Sequence, residues 1–254
     1  MPTVILLAKA RHSYQLKFLE KQLESVFEGL DFKMTLSRVI PQNLIQATVS
    51  GQDQNVILNY LNEEVGLSPI DMDKVAKNAV MRGYLTGLAK SRVNLTVDIG
   101  LCSPETIGAH VPIQTLQAQL ADGRKVALGK IAELYGFHDD LPLYVRVSSI
   151  DRRGSYVEAA LSDKQLMVYR KWTDSLLDRL LVLGASAVQV EAAVKVCGLN
   201  RDVIDIDDLG LFEHAIVCKL GTDAKGLIPR IGRRLGKAGL SVYSPRKVLE
   251  FLGD

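Results

Sequence analysis

Between Arg82 and Asp163 the chain spaces its glycines and β-branched residues as five short strands, a pattern that closes into a small barrel. Arg82 to Leu88, with Gly83 and Gly87, opens the set, and Leu95 to Gly100 and Ala109 to Ile113 give the second and third strands. Leu143 to Asp151 and Ser155 to Leu161 then alternate apolar and polar side chains around Arg152-Arg153-Gly154, a hairpin-turn signal.

The order of these segments resembles the OB domain named after ribosomal protein S-one. The matching stretches are Gly83 to Gly87, Val97 to Gly100, Ala109 to Gln114 and Ile150 to Gly154. The resemblance implies single-stranded RNA binding, with aromatic side chains on the second and third strands and polar residues on the last hairpin. Here Val93 and Thr96 stand at the usual aromatic positions, and Pro112 stands at a usual histidine. Asp151 keeps the pattern, while Ser155 follows the turn glycine where an arginine is usual, and Arg152 and Arg153 precede it. The residues left to carry binding on the barrel are Tyr84, His110, Asp151, Arg152 and Arg153, with modest affinity for a single strand.

The chain has 254 residues, 47% hydrophobic and 24% charged, enough for two or three small folded domains. No run approaches the roughly 20 apolar residues that span a bilayer, and Met1 to Ala10 leads into a charged helix, not a cleavage site. A cytoplasmic protein with no membrane partner is expected. Cys102, Cys197 and Cys218 are far apart and odd in number, as buried free thiols are.

Two α/β modules are expected to flank the barrel. Residues 3–8 read as a strand, and Leu16, Leu19, Leu23 and Val26 recur at helical spacing behind Ser13, a candidate N-cap. Phe32 to Val39 and Leu44 to Val49 form two strands around Pro41-Gln42-Asn43, and Asn55 to Val65 a second helix. One more strand, at Lys74 to Val80, would complete a ferredoxin-like sandwich. After the barrel, a helix at Lys164 to Asp178 carries Trp172, the only tryptophan, as a packing anchor between modules. Strands at Leu180 to Leu183, Asp202 to Asp207, Phe212 to Leu220 and Leu240 to Ser244, with helices at Ala187 to Val196 and Ile228 to Leu235, repeat the βαββαβ order. The expected class is therefore α+β in three modules: a ferredoxin-like sandwich over 1–79, an S-one-type OB barrel over 80–165 and a ferredoxin-like sandwich over 166–254.

Leu209 to Gly232, continuing into Tyr243-Ser244-Pro245-Arg246-Lys247, resembles an uncharacterised archaeal family, domain of unknown function 2110. Asp98-Ile99-Gly100 and His110-Val111-Pro112 extend that resemblance into the barrel. It implies an archaeal source and no known activity. In domain order alone the chain is similar to the alpha subunit of archaeal initiation factor two.

Net charge is only +2, and each module is nearly balanced. The third, however, sets Asp202, Asp205, Asp207, Asp208 and Glu213 against Lys219, Lys225, Arg230, Arg233, Arg234, Lys237, Arg246 and Lys247. The last eight cations face one acid, Asp223, between Lys219 and Lys247. Gly221 to Gly226 reads as a loop opening a helix whose first turn holds Pro229, a start at which free N–H groups favour a phosphate. Two readings stand: the cations bind RNA, or they pair with the acidic strand at 202–208. The spacing is neither a nucleoside-triphosphate loop nor the Gly-x-x-Gly clamp of KH domains.

His138-Asp139-Asp140 reads as a solvated turn and His214 as a core residue, so no metal, cofactor or catalytic group is expected. The sequence thus points to a non-catalytic RNA-binding factor in archaeal translation or RNA processing, its partner ribosomal or single-stranded RNA. The alternative is a protein-docking subunit of a larger transcription, translation or RNA-degradation assembly.

Overall fold

The computed structural model describes residues 2–40, 42–69, 71–102 and 106–253. Pro41 of the expected turn and the side chain of Cys102 lie outside them. The protein is a mixed α+β structure built on three sheets.

In the first sheet, β1 (Thr3–Lys9), β2 (Lys33–Val39) and β3 (Leu44–Ser50) are antiparallel in the order β1-β3-β2. Alternate residues of β1 and β3, Leu6, Ala8, Ile45, Ala47 and Val49, form one core with α1 (Ser13–Val26) and α2 (Gln54–Tyr60). His12, not Ser13, is the N-cap of α1, and its N–H donates to Gln15 Oε1 at 2.9 Å. The strand expected at Lys74 to Val80 does not form. Met72–Lys74 is a single 3-10 turn, and Val80 already belongs to the barrel. The free edge of β1 instead carries one bridge, Leu6 to Leu67, flanked by Leu7 N–H to Gly66 O and Ser68 N–H to Ile5 O. Pro69, which has no N–H, follows directly and stops the ladder.

The barrel is closed by β4 (Val80–Thr86), β5 (Asn94–Cys102), β6 (Thr106–Pro112), β7 (Pro142–Asp151) and β8 (Tyr156–Leu161), in the order β4-β5-β6-β8-β7. Only β6 and β8 run parallel. Leu143, Val145 and Val147 of β7 alternate inward with Val97, Ala109, Val157 and Ala159, as period-two apolar patterning requires. Between β6 and β7 lie two helices that the strand pattern did not bring out, α3 (Ile113–Leu120) and α4 (Leu128–Tyr135), whose Leu116, Leu120 and Ile131 join this core. Gly83 lets β4 cross β5 closely, since a Cβ there would lie 2.5 Å from the Asp98 carbonyl oxygen and 2.8 Å from a Val97 methyl. Gly83→Ala is expected to destabilise the fold by about 1–3 kcal/mol through overpacking, read as a lower urea midpoint. An unchanged midpoint would show that β4 and β5 separate freely.

After α5 (Asp163–Asp174), the third sheet has the antiparallel order β10-β11-β9-β12: β9 (Arg179–Leu183), β10 (Val203–Asp208), β11 (Glu213–Cys218) and β12 (Gly239–Tyr243). Helices α6 (Ala187–Val196) and α7 (Ala224–Leu235) cover one face through Val190, Val194, Leu227 and Ile231. A Ser186–Gln189 capping box starts α6. The other face, with Leu181, Leu183, Ala215 and Tyr243, packs on the barrel's core through Tyr135, Phe137, Tyr169 and Trp172. A last helix, α8 (Pro245–Leu252), packs on α5.

Candidate nucleic-acid interface

On the outer wall of the barrel, β5, β6 and β8 bring three half-buried side chains together: Thr96, His110 and Tyr156. The His110 and Tyr156 rings are stacked, 4.9 Å between centroids and 8° from parallel. Thr96 Oγ1 lies 3.2 Å from His110 Nδ1 and fixes the ring plane. Burial lowers the His110 pKa from its ordinary value and so favours the neutral imidazole. Tyr156 is also the partner of Asp151 across the hairpin, so the stack sits at the foot of the exposed Arg152-Arg153-Gly154 turn. Sequence reasoning found His110 and missed Tyr156. The signal was present: the residue precedes an inward-facing valine, and once β6 and β8 run parallel it lies diagonal to His110, two places before that residue's partner Glu158.

The hairpin is shaped by its own acid. Asp151 Oδ1 accepts the N–H groups of Arg153 and Gly154 at 3.0 and 3.1 Å, which makes it a turn residue. Arg152 reaches Asp73 at 3.1 Å in a pair exposed on both sides, an arrangement worth about 0–1 kcal/mol. No carboxylate pairs with Arg153 among the described residues.

Tyr84, expected on the binding face, is 0% exposed. Its hydroxyl donates to Leu7 O at 3.2 Å and lies 3.5 Å from Glu213 Oε2, so it belongs to a polar junction where the three sheets meet. There Lys9 of β1 sits 3.0 Å from Asp98 of β5 and 3.6 Å from Asp140, which also binds Arg11. Arg82 donates to Leu209 O at 2.6 Å, and a side chain on Gly210 would run into Arg82 and Glu213. Burial raises the Glu213 carboxyl to about 7 against the opposing pull of Arg82. Burial and the Glu213 charge hold the Tyr84 phenol well above its ordinary value. The expected solvated turn at His138-Asp139-Asp140 is in part this junction: Asp140 binds the cations, and Asp139 accepts the Leu88 N–H at 2.9 Å. Among the described residues no group of three or more His, Cys, Asp or Glu is placed to hold a metal ion.

The eight cations of the third module fall into two sets. Lys219, Lys225, Arg246 and Lys247 line one groove of about 900 Å³ beside α8. Arg230, Arg233, Arg234 and Lys237 lie on α7 and just beyond it, all exposed. Arg230 pairs with Asp202 at 3.6 Å and donates to Cys197 O at 2.8 Å, so pairing with the acidic segment holds for this residue alone among the eight. The buried Asp207 partner is Arg179, at 3.8 Å.

The helix itself begins earlier than the glycine spacing suggested, at Ala224, which puts Pro229 in its second turn and Gly226 inside it. Its first N–H groups are not free for a phosphate. Asp178 Oδ2 accepts from Ala224 at 3.3 Å and Asp223 Oδ1 from Lys225 at 2.9 Å, so two of the chain's own carboxylates occupy the positive end of the helix. Cys218 is a buried free thiol and Cys197 a half-buried one. No helix among the described residues is long and apolar enough to cross a membrane.

Residues 177–243 match the family model of the DUF2110 C-terminal domain, the block in which the sequence carried that resemblance. None of the curated proteins matches the chain. Among solved structures, the chain is similar to one in the crystal structure of an a/eIF2alpha-aDim2p-rRNA complex from Pyrococcus horikoshii OT3. Identity is 9%, the TM-score is 0.26, and the match covers 49% of this chain and 64% of that one.

Proposed function

We propose that the chain is a non-catalytic RNA-binding factor of archaeal translation or RNA processing, built of a three-stranded α/β module (1–79), an OB-like barrel (80–165) and a ferredoxin-like module (166–254). The observation that carries this reading is the His110–Tyr156 stack beside the basic hairpin. A nucleobase adds to such a stack as a third parallel ring, and every base has a face to offer, so the wall takes single strands with little sequence preference. Arg152 and Arg153 then neutralise the phosphates flanking the stacked base. Arg233, Arg234 and Lys237, exposed and with no carboxylate partner among the described residues, add longer-range attraction.

The test is titration of a fluorescent oligouridylate with the full chain. Tyr156→Ala should weaken binding about 5- to 150-fold, the equivalent of the roughly 1–3 kcal/mol that a stacked base contributes. Arg152→Ala with Arg153→Ala should flatten the dependence of affinity on salt. Full affinity in Tyr156→Ala would remove the barrel wall from the site.

A further inference from the structure

We propose that the groove beside α8 is a docking site for another protein, and that its occupant is an acidic segment anchored by aliphatic side chains. The inference goes beyond the RNA-binding reading and uses none of the residues of the His110–Tyr156 wall.

The groove, of about 900 Å³, is lined by three leucines, four cations and three carboxylates. Leu220 is 72% exposed and Leu176 55% exposed, and both line it together with Leu249. Leu176 follows the C-cap of α5 at a φ of +56°, the left-handed position that ends the helix and where glycine is also at home.

The charges point the same way. The groove's carboxylates are already engaged: Asp178 by Ser244 Oγ at 2.8 Å and the Ala224 N–H, Asp223 by the Lys225 N–H, and Glu250 by Arg246 at 2.8 Å. The groove's four cations outnumber its three carboxylates by one, and Lys219, Lys225 and Lys247 have no carboxylate within ion-pair distance among the described residues, so the charge it offers a partner is positive. That charge is lysine, a point charge without the planar fork that grips phosphate in two places. No aromatic ring lines the groove to stack on a base. Aliphatic walls and point cations fit glutamates and aspartates interleaved with leucine-like anchors better than they fit a polynucleotide.

The experiment uses the full chain and three labelled probes: a short peptide alternating glutamate and leucine, its counterpart with glutamine for glutamate, and an oligouridylate. The acidic peptide should bind and the glutamine peptide should not. Lys219→Glu, Lys225→Glu and Lys247→Glu together should abolish peptide binding. Leu220→Ser with Leu176→Gly should weaken it at least tenfold while leaving oligouridylate affinity unchanged. Glycine suits the left-handed position, and Leu220→Ser alone provides the same reading should the double variant lose stability. Equal binding of the two peptides, or peptide binding indifferent to the leucines, overturns the proposal. So does a loss of oligouridylate binding matching that of the peptide, which would make the groove an RNA surface. Tyr156→Ala should leave peptide binding intact, so failure here and failure of the barrel reading remain distinct.

Discussion

Asp98→Ala is expected to lower stability by about 3–5 kcal/mol, the usual result of removing one partner from a buried ion pair. Asp98 is 4% exposed and lies 3.0 Å from the Lys9 ammonium, which is itself nearly buried. Deleting the carboxylate takes from the ammonium its closer partner, between the first sheet and the barrel. Asp140, 3.6 Å from the ammonium, remains but is shared with Arg11 and does not replace the closer contact. Asp98 also accepts the Gly100 N–H at 3.1 Å, so a buried donor is orphaned as well. Urea unfolding followed by far-ultraviolet circular dichroism measures the loss. Adding Lys9→Met to Asp98→Ala should restore part of it, since the ammonium is then gone. A single-variant loss below about 1 kcal/mol would mean that water reaches Lys9, since only a solvated pair is worth so little.

Glu213→Gln should stabilise the protein at pH 8 and not at pH 4. In the folded state burial holds this carboxyl at about 7 against an ordinary 4.5, so folding favours its protonated form. Below the lower value both states are protonated and no penalty exists. As pH rises from there the unfolded chain releases the proton while the folded one retains it, and stability falls until the folded group titrates. Above about pH 7 the whole cost is present. At about 1.36 kcal/mol per pKa unit, the difference between pH 5 and pH 8 is on the order of 2–3 kcal/mol. Urea midpoints of the variant should lack that slope. A variant with the parent's slope would place the titrating group elsewhere in the junction.

The barrel strands were legible because the information that sets them is local. Glycines, β-branched residues and a hairpin turn fall at fixed offsets, and the structure moves their ends by only a few residues, as with Val80–Thr86 for the opening strand. The helices α3, α4 and α8 were not brought out, although Leu128, Ile131 and Tyr135 have helical spacing. A reader following period-two alternation passes over a helix inserted between two strands. The candidate site was half legible for a different reason. Whether a tyrosine faces water depends on what lies across from it, and Tyr84 is covered by Leu7 and Glu213, 77 and 129 residues away in sequence. Tyr156 gains its importance from His110, a neighbour created only by the parallel pairing of β6 with β8. The helix start at Ala224 is set by its neighbour Asp223, a local cap that the glycine spacing passed over, while Asp178, which takes up the Ala224 N–H, lies 46 residues upstream.

The aromatic contact between the barrel and the third sheet gives the molecule an optical reporter of one joint. Trp172 is the only tryptophan of the chain. Its ring lies 5.7 Å from Tyr169, 5.2 Å from Tyr243 and 5.1 Å from the Arg179 guanidinium, so residues of α5, β9 and β12 set its surroundings. Emission excited at the red edge therefore follows the parting of β12 from α5 and is blind to events confined to the first sheet. Recorded beside circular dichroism during unfolding, it separates the opening of that one contact from the loss of secondary structure elsewhere. No label needs to be introduced to see it.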